Sequence, residues 1–264
     1  MRFLPTGGRV GLAVGLSALL FSGGGCVSTA ETHENLHSTL WVQTSAEYFA
    51  ITKQTYNAAT GRLEEIALER DSSTLAVILD IDETVLDNSP YQARLVRDGA
   101  VFDSETWAGW VAERSARPIP GAPEFIARAR QLGFNVLYIT NRDAAGREHT
   151  LANMRAVADP EAQDRLILYS GENGWGSDKQ PRRDVVAARA EIVMIIGDDL
   201  GDFTSPIEID DELRRSIATN GPWGESWFML PNPTYGKWER SLYNFERLGE
   251  LEKLERKYGK LRTD

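Results

Sequence analysis

Four short apolar runs, each followed by a polar segment rich in reactive side chains, constrain this chain more than any other feature. They are Thr74 to Leu79 (TLAVIL), Phe134 to Ile139 (FNVLYI), Arg165 to Tyr169 (RLILY) and Ile192 to Ile196 (IVMII). Short continuous apolar runs of this kind, without the alternation of a half-exposed strand, predict strands covered on both faces. Helical spacing over Ala122–Gln131, Ala144–Val157 and Arg182–Ala190 fills the intervals between them. Strands alternating with helices predict an α/β fold, a doubly wound parallel sheet with helices on each side.

Three regions fall outside that alternation. From Leu40 to Leu68 apolar residues recur at near-helical spacing, which predicts one long helix or two, interrupted near Gly61. Residues 88–120, with Trp107, Trp110 and a Pro118/Pro120 exit, read as an insertion over the sheet, a small mainly helical cap joined by the N-terminal helix. Trp238 to Arg262 predicts a charged amphipathic helix that covers the body and faces solvent.

The N-terminus has the layout of a secretory signal: Arg2 and Arg9, an uncharged run from Val10 to Phe21 too short to span a bilayer, and small residues up to Gly25. Cys26 follows where a bacterial lipoprotein is cleaved and acylated, so the segment resembles a lipoprotein leader, with Gly23 where such leaders carry an apolar residue. The expected organisation is a leader over residues 1–25, a polar tether over 26–36 and a folded domain over 37–264. On this reading the chain is exported and lipid-anchored through Cys26 to the bacterial cell envelope, at the outer membrane or cell surface.

With 29 Lys+Arg against 39 Asp+Glu the chain carries a net charge of −10, which argues against a nucleic-acid polymer as partner. Its single cysteine excludes an intrachain disulfide and a thiolate zinc site. Carboxylates, hydroxyls and lysines must therefore carry the chemistry. In an open α/β sheet ligands bind at the carboxyl ends of the strands. There this chain places Asp80-Ile81-Asp82-Glu83-Thr84, then Thr140-Asn141-Arg142, then Lys179, then Asp198-Asp199-Leu200-Gly201-Asp202. Asp80 and Asp82 suit phosphoryl transfer, with one carboxylate on phosphorus and the other handling protons. Oxygen donors crowded near Asp198 and Asp199 favour Mg²⁺ over zinc. The Thr140 hydroxyl and Lys179 ammonium can hold phosphate oxygens. Asn141 and Arg142 either bind phosphate or cap the next helix. Each element has a plainer reading taken alone: Asp82 or Thr84 as a turn cap, Lys179 as a solvated lysine.

Asp-x-Asp-x-Thr, a strand-end Thr, a Lys and Gly-Asp-Asp-x-x-Asp, in that order, resemble the four motifs of the haloacid dehalogenase superfamily, a Rossmann-type fold. The strings DIDETVLDNSPY, FDSETWAGWV, YITNR, GDDLGDF, FMLPNPTYGKWE and TLWVQTSAEY resemble the bacterial class C acid phosphatases, over about Leu40 to Glu239. The resemblance implies hydrolysis of small phosphomonoesters, 5′-nucleotides among them, through an aspartyl-phosphate on Asp80, with Asp82 as general acid and then base. It implies Mg²⁺ held by the Asp80 carboxylate, the Asp82 backbone carbonyl and Asp198, with Asp202 supporting that site and Thr140 and Lys179 on the phosphate. Asp199 departs from relatives that often carry Asn, which leaves open whether it coordinates. A protonated Asp82 is most populated below neutrality, which sets the expected optimum at roughly pH 5–6. A homodimer is implied by the resemblance alone.

Trp107 and Tyr235 fit an aromatic clamp on a nucleobase or aryl group, with Trp110 a weaker member; packing is the plainer reading for all of them. His33-Glu34-Asn35-Leu36-His37 matches the zinc-protease pattern, but it lies in polar tether sequence with no strand before it. A phosphomutase on the same motifs and a non-catalytic binding or storage lipoprotein on the same fold are the competing functions. Asp80, which such a binding protein would lack, weighs against the second.

Overall fold

The run after Thr74 forms β1 (Leu75–Leu79), which is buried at every position. Two short strands follow, β2 (Leu86–Asp87) and β3 (Arg117–Pro118). The remaining strands are β4 (Asn135–Asp143), β5 (Ile167–Ser170), β6 (Glu191–Gly197) and β7 (Trp227–Met229). The computed structural model describes residues 33–162 and 167–263, so the leader, Cys26 and Arg165 lie outside the described residues. Within it, five strands make one sheet in the order β5-β4-β1-β6-β7, with every pair parallel. The chain runs outward from β1 through β4 to β5, then returns to β6 on the other side of β1. A sheet wound in both directions from its centre opens a crevice beside the central strand's carboxyl end.

Side chains of β1 alternate between two cores. Leu75, Val77 and Leu79 join the larger cluster, which also holds Tyr56, Leu63, Phe125 and Ile126. Ala76 and Ile78 face the smaller cluster with Ile139, Val186, Ile195 and Phe203. Apolar residues at every position of β1 are thus what a strand covered on both faces needs. The covering helices match the sequence spacing. α5 spans Ala122–Gln131 as expected, α6 (Arg147–Val157) begins after a 3₁₀ turn over Ala144–Gly146, and α7 (Gln180–Ala187) starts earlier than its apolar pattern, with Pro181 in its first turn.

At the N-terminus two helices form, and the break is at Ser45 instead of Gly61. α1 (Leu36–Thr44) ends at Ser45, whose backbone is extended and whose hydroxyl accepts from the Tyr48 amide to cap α2 (Ala46–Glu69). Gly61 sits inside α2, its cost of about 1 kcal/mol offset by a stripe of Tyr48, Thr52, Tyr56, Ala59, Leu63 and Ile66 buried at three- and four-residue spacing. Residues 88–120 hold α3 (Ser89–Asp98) and α4 (Ser104–Glu113), and α1 packs on α3. This insertion leaves and re-enters through a narrow neck, since β2 and β3 pair antiparallel with Leu86 opposite Pro118 and Asp87 opposite Arg117.

Two further differences are physical. The C-terminal segment is two helices, α9 (Lys237–Ser241) and α10 (Glu250–Tyr258), because Asn244 and Phe245 between them adopt left-handed backbone. The folded body also begins before residue 37: His33 lies with Nε2 2.9 Å from the Ala100 carbonyl oxygen. β7 and the polar helix α8 (Asp211–Asn220), which buries no residue, complete the chain.

Candidate active site

The carboxyl end of β1 delivers Asp80, whose amide donates to the Ile196 carbonyl at 3.0 Å and so ties it to β6. At the end of β6 come Asp198 and, after one turn of 3₁₀ helix, Asp202. One carboxylate oxygen from each of Asp80, Asp198 and Asp202 lies within 4.8 Å of the others, forming the one acidic group able to hold a metal ion among the described residues. Lys179, buried at the start of α7, reaches into this group, pairing with Asp80 and donating to Asp202 Oδ1 at 2.6 Å. The second Asp202 oxygen accepts from the amides of Asp198 and Asp199 at 3.1 and 3.0 Å. Both Asp202 oxygens are therefore occupied by the protein. Asp198 accepts from the Thr84 hydroxyl at 3.2 Å and from Asn232 Nδ2 at 2.8 Å.

Asp199 turns the other way. Its carboxylate accepts from the Gly201 amide at 2.8 Å, the Lys237 amide at 2.7 Å and Lys237 Nζ at 3.2 Å. These contacts remove it from the cluster and leave its added charge neutralised by a lysine.

Burial and like charge set the electrostatics. Asp80 is pushed up to about 7, by burial first and by Asp202 and Asp82, with Lys179 opposing. Burial, then Asp202 and Asp80, hold Asp198 well above the usual carboxylate range. Burial would lower Lys179, but Asp202 and Asp80 outweigh it and the ammonium is held above its ordinary value. Crowded oxygen donors with raised affinity for protons have the chemistry of a hard-cation site, so the residues present fit Mg²⁺.

Asp82 faces a second set of partners. Its Oδ1 accepts from Asn88 Nδ2 at 2.8 Å and from Arg142 Nε at 2.9 Å. Arg142 is buried, donates also to Thr150 Oγ1 at 3.2 Å and Asn88 Oδ1 at 3.3 Å, and lies 5.6 Å from the centre of the Trp107 ring. Arg142 therefore pairs with an acid of the site instead of capping α6. Trp110 is buried and donates its indole N–H to Asn88 Oδ1 at 2.8 Å, a packing and orienting role away from any open surface. Trp107 is half-buried among Tyr91 and Phe102.

Thr140 is buried with its Oγ1 accepting from the Arg142 amide at 3.1 Å, which leaves the hydroxyl proton available for another acceptor. Asn141 is engaged at both ends of its amide, by Arg182 at 2.6 Å and by the Ser177 carbonyl at 3.0 Å. Tyr235, half-buried, contacts the buried Glu83 through its hydroxyl. Glu83 itself has left-handed backbone, and its Oε1 accepts from the Asn88 amide at 3.0 Å. Tyr56 on α2 donates to the Thr84 carbonyl at 2.7 Å, so the loop carrying Asp82 is braced from outside the sheet.

The His33–His37 segment forms no metal group among the described residues. His33 meets Ala100, Glu34 pairs with Lys257, and the segment leads into α1. Sequence reading passed over Asn88, Arg182, Asn232 and Lys237 as site residues. Of these, only Asn232 carried a usable signal, an Asn-Pro pair just past an apolar segment.

A five-stranded parallel sheet with an acid cluster at its central strand ends and a helical insertion above defines an α/β protein built around a strand-end aspartate. The family model for the HAD superfamily, subfamily IIIB (acid phosphatase), matches residues 26–238, and the chain belongs to that family. The class C acid phosphatase of Bacillus anthracis has a similar structure: with tungstate bound it superposes with a TM-score of 0.83 at 30% identity, covering 89% of this chain and 99% of that one. Another structure of that enzyme gives a TM-score of 0.82. Acid phosphatase 1 of Solanum lycopersicum is 28% identical over 160 residues and the stem 28 kDa glycoprotein of Glycine max 27% over 164. The chain spans 57% and 58% of those two proteins' lengths.

Proposed function

We propose that this chain hydrolyses small phosphomonoesters, 5′-nucleotides among them, with Asp80 as nucleophile. The observation that carries the reading is the division of labour between two acids two residues apart. Asp80 lies against Lys179 and the metal-type cluster, while Asp82 lies against Arg142 and Asn88 outside it. In the first step the Asp80 carboxylate attacks phosphorus, the bond to the leaving oxygen breaks, and Asp82 gives that oxygen its proton. In the second, water attacks the aspartyl-phosphate, Asp82 takes a proton from the water, and inorganic phosphate leaves with Asp80 restored. The Thr140 hydroxyl and Lys179 ammonium hold phosphate oxygens through both steps. Mg²⁺ held by the Asp80 carboxylate, the Asp82 backbone carbonyl and Asp198, with Asp202 supporting Lys179, would neutralise charge on the transferring group.

The tungstate in the Bacillus anthracis relative, a tetrahedral oxyanion, supports a phosphate-shaped site. Trp107 lies beside Arg142, the partner of Asp82, and Tyr235 contacts Glu83 in the loop after Asp82; both contacts support an aryl or nucleoside leaving group. The need for a protonated Asp82 in the first step favours an acidic optimum. The test is Mg²⁺-dependent release of phosphate from an aryl phosphate and a nucleotide panel, with Asp80→Asn alongside. Activity in wild type that disappears in the variant is expected; equal activity in both would defeat the proposal.

A further inference from the structure

Among the described residues Arg182 is the largest fully buried side chain, at 0% exposure, and it forms no ion pair with a carboxylate there. A guanidinium taken out of water ordinarily needs an acid beside it. Here its donors end on neutral oxygens: Nη1 on the Thr140 carbonyl at 2.5 Å, and Nη2 on Asn141 Oδ1 at 2.6 Å, the Gly176 carbonyl at 3.2 Å and the Asp178 carbonyl at 3.3 Å. Nε is buried without a partner.

Those acceptors come from two separate pieces of chain. Thr140 and Asn141 belong to β4, and Gly176 and Asp178 to the loop that ends in Lys179. Each piece carries one of the groups that hold phosphate in the proposed reaction, the Thr140 hydroxyl and the Lys179 ammonium. The Asn141 amide repeats the bridge, accepting from Arg182 and donating to the Ser177 carbonyl. Asn141 thus serves the bridge through its oxygen and one amide hydrogen, and its second amide hydrogen stays available to an anion.

We propose that Arg182 is a positioning residue whose planar fork locks β4 to the Lys179 loop, fixing the spacing of Thr140 and Lys179 and with it the site's affinity for phosphate. This rests on the phosphatase reading for its ligand. The fork geometry matters because Arg182 meets its four acceptors through two separate nitrogens, whereas a lysine has one donor centre.

The experiment uses the full folded chain loaded with Mg²⁺, in wild type, Arg182→Lys, Arg182→Gln, Asn141→Ala and the combined Arg182→Lys/Asn141→Ala variant. It reads the inhibition constant of inorganic phosphate, KM and kcat for an aryl phosphate, and amide hydrogen exchange over residues 140–142 and 174–179. Both Arg182 variants are expected to raise the phosphate inhibition constant and KM together by about tenfold, with kcat falling less. Asn141→Ala removes one acceptor, should raise the inhibition constant by about threefold, and should add nothing on top of Arg182→Lys, since both act through one bridge. Exchange should quicken in both segments at once. If Arg182→Lys restores wild-type constants, charge alone suffices and the lock is wrong. Loss of kcat with unchanged KM and inhibition constant would likewise overturn it, as the mark of less folded protein. Should the Arg182 variants not fold, Asn141→Ala decides alone: unchanged exchange over 174–179 rejects the bridge. A wild type that hydrolyses nothing, with both segments still loosened in the variants, would sink the phosphatase reading and leave the bridge standing. An active wild type whose variants keep their constants and exchange sinks the bridge only.

Discussion

Arg142, buried, pairs with the partly exposed Asp82, with Arg142 Nη2 2.8 Å and Nε 2.9 Å from the same carboxylate oxygen. In the proposed reaction the pair leaves Asp82 Oδ2 as the oxygen that exchanges a proton with substrate, and Asn88 on Oδ1 reinforces that orientation. Replacing Arg142 by Gln should therefore harm proton delivery more than phosphoryl attack. The expected result is a loss of kcat of about 100-fold for an alkyl phosphate, whose leaving group needs the proton, and about threefold for p-nitrophenyl phosphate, whose leaving group does not. Steady-state kinetics across a leaving-group series checks this, and an equal loss for both esters would contradict it.

Asp198 is held above the usual carboxylate range by burial and by Asp202 and Asp80. In the metal-free folded chain it keeps its proton at pH values where the unfolded chain has lost it, so folding stability declines as pH rises. The decline should run from about pH 4, where free carboxyls titrate, through the region near pH 7 where Asp80 titrates. Asp198→Asn should flatten this slope and stabilise the metal-free chain at neutral pH by about 1–2 kcal/mol, or about 3–6 °C. The same variant should lose the stabilisation by Mg²⁺ expected of wild type on the proposed reading, about 2.7 kcal/mol at a hundredfold excess over Kd. Calorimetry with and without chelator reads both effects.

Asp199 is pulled below the ordinary carboxylate range even though burial acts the other way, because Lys237 and the backbone amides of Lys237 and Gly201 surround it. It spends its oxygens on those donors and not on the acid cluster. Asp199→Asn should therefore keep Mg²⁺ affinity within about threefold and cost about 1 kcal/mol of stability or less. Titration calorimetry with Mg²⁺ is the check; a loss comparable to that of Asp198→Asn would put Asp199 on the metal.

Gly197 closes β6 directly against Asp202. A Cβ there would lie 2.3 Å from Asp202 Oδ2 and 2.6 Å from Asp202 Cβ. Gly197→Ala should displace the carboxylate that holds Lys179 and the two strand-end amides. We expect a destabilisation of about 1–3 kcal/mol, a melting point lower by about 3–10 °C, and activity reduced beyond the loss of folded protein. Thermal denaturation beside active-site titration separates the two contributions.

The parts of the molecule legible in the sequence are those where one run of residues decides its own fate. β1 announces itself because every position is apolar, and α5 because Ala122, Phe125, Ile126 and Ala129 fall on one face. Asp80, Thr140, Lys179 and Asp198 could be picked out since parallel strands bring their carboxyl ends to one edge. Other features depend on partners distant in the chain. The break at Ser45 is set by a hydroxyl folding onto the Tyr48 amide, an interaction that competes with an equally plausible break at Gly61. β7 is three residues long and lies at the sheet edge beside β6, too little for a periodic signal. The fates of Asn141, Arg142 and Asp199 turn on which donor folds back to meet each side chain, and spacing along the chain carries no record of that.

The neck formed by Leu86–Asp87 and Arg117–Pro118 makes everything between it a cassette with one entrance. Yet the first residue inside, Asn88, grips Asp82, and Trp110 deeper in the same cassette fixes Asn88. On the proposed phosphatase reading, substrate preference through Trp107 and proton transfer through Asp82 are thereby inherited together. A change of substrate made by exchanging this segment arrives with a new setting of the acid, and turnover must shift along with preference.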